Sequence, residues 1–290
     1  MVAIDPPTIG VEFIPNDSPF AGREGEFVTS RQLRERLFRE TLSDVALQVE
    51  DSDTGIGFKV AGRGELHISI LIEKMRREGY EFQVSRPKVI FQTIDGTQCE
   101  PYEMVTITVD EAIGGKIIES MAERKGQMTN MVQDGKSMVY TFKTPTRGLL
   151  GYQSLFMKLT KGLGTIFSTF DEYLPMSGEI KSRQRGVLVS KETCATVAYA
   201  ISNLQERAEL FLGPGVDVYV GQIVGLNSRD EDMVVNIAKS KKLTNMRASG
   251  SDDGIMLTPP TILSLEECLS FINDDELIEI TPKNIRLRKR

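Results

Sequence analysis

The chain has 290 residues, 40% of them hydrophobic, with 35 basic and 41 acidic side chains and a net charge of −6, which is apolar material enough for about two domains or three small ones. No apolar run approaches the roughly 18 residues of a membrane helix, and the start, Met1 to Pro7, lacks a cationic region followed by an apolar one, so export and membrane insertion are not expected. Cys99, Cys194 and Cys268 are odd in number, far apart and without a C-x-x-C pair, which argues against a disulfide framework or zinc cluster and fits a reducing cytoplasm.

Thr8 to Phe13 reads as a strand with Val11 and Phe13 alternating, and Thr29 to Thr41 as a helix with Leu33 and Leu37 one turn apart. Two strands follow, Ala46 to Glu50 and Gly57 to Val60, then a helix over Gly64 to Glu78 with Ile68, Leu71, Ile72 and Met75 on one face, and a strand over Tyr80 to Val84. The single histidine, His67, sits near the start of that helix, where a structural role is favoured over catalysis. The same order then begins again. Glu103 to Val109 is a strand, a helix lies near Lys116 to Arg124, and strands Met128 to Val132 and Met138 to Lys143 flank an Asp134-Gly135 turn signal. A helix from Leu149 to Leu159 and a strand from Thr165 to Phe170 complete it. Each half is a βαββαβ unit, for which the expected fold is ferredoxin-like: a four-stranded antiparallel sheet with two helices on one face.

After Pro175 short β-branched runs take over, at Gly186 to Val189, Thr193 to Ile201, Val216 to Val220, Gln222 to Leu226 and Met233 to Ile237. One helix is expected late, where Ser264 and Glu267 have capping-box spacing. The expected fold class is therefore α+β, with two tandem ferredoxin-like domains at 1–92 and 93–175 and a β-rich C-terminal domain with one helix at 176–290.

Between Met233 and Ser251 this acidic chain has no Asp or Glu, but has Lys239, Lys241, Lys242 and Arg247. With Thr244, Asn245 and Ser249 these cations supply the side-chain types that hydrogen-bond phosphate and sugar, so the segment is a candidate RNA-binding loop, with a solvated surface loop as the plain alternative. Arg76 and Arg77 on the second helix, and Arg286, Arg288, Lys289 and Arg290 in the tail, are candidate auxiliary contacts. Ile285 and Leu287 alternate like a strand, so the tail is also a candidate part of the core.

Little supports catalysis. Gly57 to Gly64 has the glycine spacing of a phosphate loop between a strand and a helix, but Arg63 and Gly64 stand where that loop needs its Lys and its Mg-ligating hydroxyl, and no Asn-Lys-x-Asp reads guanine. The three glycines are read instead as a tight turn. The acidic triplets Asp230 to Asp232 and Asp274 to Glu276 lack calcium-loop spacing and read as solvated turns.

Gly62 to Glu81, read as GRGELHISILIEKMRREGYE and followed by Val84-Ser-Arg-Pro-Lys-Val89, closely resembles the third domain of translational GTPases, above all the BipA/TypA family. Glu123-Arg-Lys-Gly126, Arg147-Gly-Leu-Leu-Gly151, Gln205-Glu-Arg207, Leu212-Gly-Pro-Gly215 and Lys241 to Gly250 continue the resemblance, which covers about Pro7 to Arg290. The first two units correspond to the third and fifth domains of elongation factor G, and the segment after Pro175 resembles one particular to BipA/TypA. The resemblance implies a factor that binds the 70S ribosome, with a role in stress adaptation, low-temperature growth and large-subunit assembly, and partners in large-subunit rRNA and A-site tRNA. It implies that the loop from Lys239 to Gly250 reaches the peptidyl-transferase side of the A site. That family begins with a GTP-binding domain and a β-barrel, neither of which has counterpart residues here, so the chain looks like a C-terminal fragment. GTP and Mg are expected for the parent's N-terminal domain, and no enzymatic activity, cofactor or metal is expected in this chain. The second class kept open is a tandem ferredoxin-like module that senses a small molecule.

Overall fold

The computed structural model describes residues 6–53, 55–180, 183–239 and 256–290. The N-terminal unit runs β1 (Ile9–Pro15), α1 (Ser30–Glu40), β2 (Gln48–Asp51), β3 (Phe58–Gly62), α2 (Glu65–Arg77) and β4 (Phe82–Ser85). Its strands pair antiparallel in the order β4-β1-β3-β2, the ferredoxin-like order. Alternation in β1 puts Val11 and Phe13 on the face that meets Leu33 and Leu37 of α1 and Ile68, Leu71, Ile72 and Met75 of α2. α1 begins where expected because Thr29 and Gln32 form a reciprocal capping box, each side chain bonding the other's backbone amide. The buried Arg36 guanidinium donates to Glu78 at 2.5 and 2.9 Å and to Glu40 at 2.6 Å, tying α1 to the end of α2.

Short strands β5 (Lys88–Val89) and β6 (Gln92–Ile94) lead into the middle unit, which runs β7 (Thr97–Asp110), α3 (Glu111–Glu123), β8 (Gln127–Asp134), β9 (Ser137–Pro145), α4 (Thr146–Leu149), α5 (Tyr152–Thr160) and β10 (Thr165–Pro175). The strand order β10-β7-β9-β8 repeats the first unit's, around a core of Val105, Ile107, Ile117, Met121, Phe142 and Phe156. The single helix expected from Leu149 is two helices, because Gly151 adopts φ +69 and breaks the helical path between Leu150 and Tyr152.

The C-terminal unit contains β11 (Val187–Ser190), β12 (Cys194–Ala195), α6 (Ala198–Gln205), β13 (Ala208–Leu210), β14 (Asp217–Val218), β15 (Gln222–Asn227), β16 (Met233–Val235), α7 (Leu265–Phe271), β17 (Glu276–Ile280) and β18 (Ile285–Lys289). The β-branched run Thr193 to Ile201 is strand only at Cys194–Ala195, and its end starts α6, so among the described residues this part has two helices rather than one. The buried Ala200, Ile201 and Leu204 follow helical spacing, which the continuous apolar run conceals. α7 lies as expected, with the Ser264 hydroxyl accepting from the Glu267 amide at 3.2 Å and the Glu267 carboxylate accepting from the Ser264 amide at 2.9 Å.

The N-terminal and C-terminal units share one sheet. β17 pairs antiparallel with β4, setting Ile278 opposite Val84 and Ile280 opposite Phe82, and the sheet continues β17-β18-β15-β11-β16. Leu269, Ile272, Ile278, Ile280 and Leu287 accordingly pack into the same core as Phe13 and Phe82. A buried polar clamp reinforces the seam: the Glu279 carboxylate, fully buried, accepts from Ser18 at 2.8 Å, Asn16 at 2.9 Å and the Tyr219 hydroxyl at 2.7 Å.

Candidate nucleic-acid interface

Residues 240–255 lie outside the described residues, so the structure gives no place for Lys241, Lys242, Thr244, Asn245, Arg247 or Ser249. What it gives is the attachment of that segment. Lys239 is exposed, two residues past Ile237, which is fully buried and whose carbonyl accepts from the Val197 amide at 3.0 Å, just before α6. On the far side, Gln205 at the end of α6 donates through Nε2 to the Thr258 carbonyl at 2.6 Å and accepts from the Thr258 amide at 3.1 Å. The two stems are thus fastened to the two ends of one eight-residue helix. Its apolar face, Ile201 and Leu204, is anchored in the C-terminal core with Leu188, Val224 and Ile237.

The auxiliary candidates have intramolecular partners. Arg76 donates to the Thr281 carbonyl at 2.9 Å and to Glu73 at 3.2 Å, while Arg77, largely exposed, donates to Glu73 at 2.9 Å. The tail is not a free basic patch, which corrects the reading of its charges. Arg286 pairs with Glu24 at 2.5 Å and Glu279 at 3.4 Å, Arg288 with Asp17 at 2.7 Å, and Arg290 with Glu12 at 3.3 Å. Lys289 meets Asp232 at 2.6 Å, Asp275 at 2.8 Å and Glu276 at 3.0 Å. Burial alone would pull the Lys289 ammonium down, but these hydrogen bonds outweigh it and hold its pKa above the ordinary lysine value. Asp232, Asp275 and Glu276 belong to the two triplets read as solvated turns; their role is to neutralise this strand. All four cations sit on or just after β18, which lies between β15 and β17. The alternation of Ile285 and Leu287 was the signal that pointed to this placement.

Gly57 to Gly64 does not fit a nucleotide. The stretch is β3 running directly into α2, and Lys59, on the strand, reaches Asp53 at 2.5 Å. A Cβ at Gly57 would lie 2.8 Å from the Phe13 carbonyl and one at Gly62 would lie 3.0 Å from His67 Nδ1, so these two glycines permit close packing within the unit. Gly64 is extended, with open space around it, so the expectation that the turn needs all three glycines is corrected to two. His67 is structural: Nε2 lies 2.5 Å from Asp44 Oδ2, and Nδ1 accepts from the Arg63 amide at 3.3 Å. Burial would raise the Asp44 carboxyl, but its bonds to His67 and the Ala46 amide hold it below the usual aspartate value.

Sequence reasoning missed a second cationic site. A cleft of about 590 Å³ where the three units meet is lined by Arg86, Lys88, Arg124, Arg147 and Arg183. Spread over nearly one hundred positions, these residues form no charge run, and only the folded chain gathers them.

Residues 185–290 match the TypA/BipA C-terminal domain, and residues 97–184 match the elongation factor G C-terminus. The chain belongs to the TypA/BipA family. Along its whole length it is 52% identical over 291 residues to the large ribosomal subunit assembly factor BipA of Salmonella typhimurium. It is 51% identical to the protein of that name from Escherichia coli K12 and 50% identical to that of Haemophilus influenzae. The chain spans about half of these relatives, 48% of the first two and 47% of the third. The βαββαβ order of the middle unit, 4-1-3-2 in its own strands, is what the elongation factor G match leads one to expect.

Proposed function

We propose that this chain is the ribosome-contacting C-terminal part of a large-subunit assembly factor of the TypA/BipA family, with parts at 1–92, 93–175 and 176–290. The observation that carries the reading is the identity of 50 to 52% along the whole chain to proteins named for large-subunit assembly. In this reading the segment from Lys239 to Gly250 is the RNA contact, touching rRNA and the acceptor end of A-site tRNA. The acid-free composition of Met233 to Ser251 in a chain of net charge −6 supports it. So does the fastening of the described residues on either side of it to both ends of α6, a base anchored in the C-terminal core. GTP hydrolysis with Mg belongs to the parent protein's other half, the compartment is the cytoplasm, and the physiological setting is stress adaptation and low-temperature growth.

The test is co-sedimentation of the purified chain with 70S ribosomes and isolated 50S subunits across a salt series. The expected result is pelleting with 50S that weakens steeply as salt rises, because phosphate contacts release counterions. A chain that stays in the supernatant at low salt overturns the proposal and favours the small-molecule-sensing module.

A further inference from the structure

The cleft at the meeting of the three units gathers five cations in a chain whose net charge is −6. Arg86 and Lys88 come from the N-terminal unit's β4 to β5 segment, Arg124 and Arg147 from the middle unit, and Arg183 from the chain leading into β11. Arg147 is matched by the fully buried Glu100, and Arg183 by the fully buried Glu276 at 2.6 Å. Arg86 and Lys88 share one carboxylate, Asp274, at 3.9 and 3.1 Å.

Arg124 has none. Among the described residues it forms no ion pair: its Nη1 donates to the Gly148 and Leu150 carbonyls at 2.8 and 3.0 Å, and its Nε and Nη2 make no hydrogen bond to protein. With Glu65, which also lines the cleft, five cations face four carboxylates, and among the described residues Arg124 is the one cation of the five without an ion pair. Burial pushes Glu65 above the ordinary carboxylate pKa and Glu266 adds to it, while the Gly151 amide and Arg124 oppose it. Burial pulls the Arg124 guanidinium down, against the opposing pull of Tyr152, Glu65 and Glu123.

A desolvated guanidinium with two free donors, beside an ammonium and a second guanidinium, is matched in charge and geometry by a phosphate group. The cleft's volume lies within the range of small-molecule sites. We propose that this cleft binds a phosphate-bearing anion of pyrophosphate size or larger, held by Arg124, Lys88 and Arg86, and that the bound anion ties the three units together. The occupancy of this site does not depend on ribosome binding.

The probe is inorganic tripolyphosphate, titrated into the full chain at low salt by calorimetry, with melting curves alongside. Saturable binding at one site and a raised melting temperature are expected. Arg124→Gln should weaken binding roughly tenfold or more, the effect of losing a charge-assisted hydrogen bond. Lys88→Gln should weaken it severalfold, while Arg31→Gln, an exposed arginine of α1 paired with Glu35 and outside the cleft lining, should leave it unchanged. Arg124 also holds two backbone carbonyls. If its variant fails to fold, Lys88→Gln, whose ion pair among the described residues is with the exposed Asp274, decides the matter. A single-stranded oligoribonucleotide that competes with tripolyphosphate, and is weakened by the same substitutions, identifies RNA phosphate as the source; one that does not compete identifies a free anion. The proposal is overturned if tripolyphosphate does not bind the wild-type chain, or binds the folded Lys88 and Arg124 variants as tightly.

Discussion

The Glu65 carboxylate, on the first turn of α2, accepts a hydrogen bond from the Gly151 backbone amide at 2.8 Å across the boundary between the N-terminal and middle units. Its other oxygen is buried without a hydrogen-bond partner. Burial therefore dominates, and the folded-state pKa is raised above the ordinary 4.5. A group whose folded pKa exceeds its unfolded value adds stability that is present in acid and lost as pH rises through the folded value. Above the folded value the ionised Glu65 is consequently a cost. Glu65→Gln keeps an acceptor for the Gly151 amide and removes the charge. The variant should melt higher than wild type above the folded value, and the gap should close as pH falls through that value toward the ordinary 4.5. A gap that is constant across this pH range would show that ionisation of Glu65 does not set it.

Gly151 is confined from two sides. Its φ of +69 is a left-handed conformation, and a Cβ built on it would sit 2.4 Å from the Ser270 Cβ of α7, in the C-terminal unit. Gly151→Ala should therefore lower stability by at least about 1 kcal/mol from the backbone alone, with the clash added. Combining it with Ser270→Gly relieves the clash and leaves the backbone cost. A double-mutant cycle by denaturant unfolding should show the second substitution less damaging in the Gly151→Ala background than alone. Strict additivity would mean that α7 does not press on Gly151.

How far the sequence disclosed this architecture depends on the range of the interaction involved. Period-two alternation at Val11 and Phe13, helical spacing at Ile68, Leu71 and Met75, and the Ser264 and Glu267 spacing are local patterns, and each marks an element the structure contains. The errors lie where long-range packing decides. Thr193 to Ile201 is apolar in a way that suits either strand or helix, and contacts with Leu188 and Val224 select α6. Nothing local says that Ile278 pairs with Val84, nearly two hundred residues earlier, so the sharing of one sheet by the first and last parts of the chain was not legible. For the same reason the tail's arginines read as a patch: their carboxylates, Glu24, Asp17 and Glu12, come from the other end of the chain. The loop candidate was legible because its signal is compositional and contiguous.

The placement of β18 between β15 and β17 makes the tail structural. Leu287 is buried in the shared core, and Leu287→Ala should cost about 2 to 5 kcal/mol. Removing residues 285–290 should abolish the cooperative thermal transition of the C-terminal unit, because β15 and β17 lose the strand that joins them. Circular dichroism melts of both variants measure this. A truncated chain that melts like wild type, and loses only ribosome affinity, would restore the reading of the tail as a surface contact.

The candidate loop makes the sharpest demand on the proposed function. Changing Lys241, Lys242 and Arg247 together to Ala should weaken ribosome binding while shifting folding stability within about 0.5 kcal/mol, as substitutions away from a core usually do. If each side chain meets one phosphate, the dependence of binding on salt should flatten by about 0.7 to 0.9 logarithmic units per residue, or about two units in all. Arg247 should dominate among single variants, and Arg247→Lys should not replace it, because a planar guanidinium grips phosphate with two donors or stacks on a base whereas an ammonium acts nearly as a point charge. Tripolyphosphate binding should stay unchanged in the triple variant, since the proposed anion ligands are Arg124, Lys88 and Arg86. Co-sedimentation of wild type, Arg247→Lys, Arg247→Ala and the triple variant across a salt series measures both affinity and slope. Unchanged affinity and slope in the triple variant would make the segment a solvated loop and move the search for the RNA contact elsewhere on the chain.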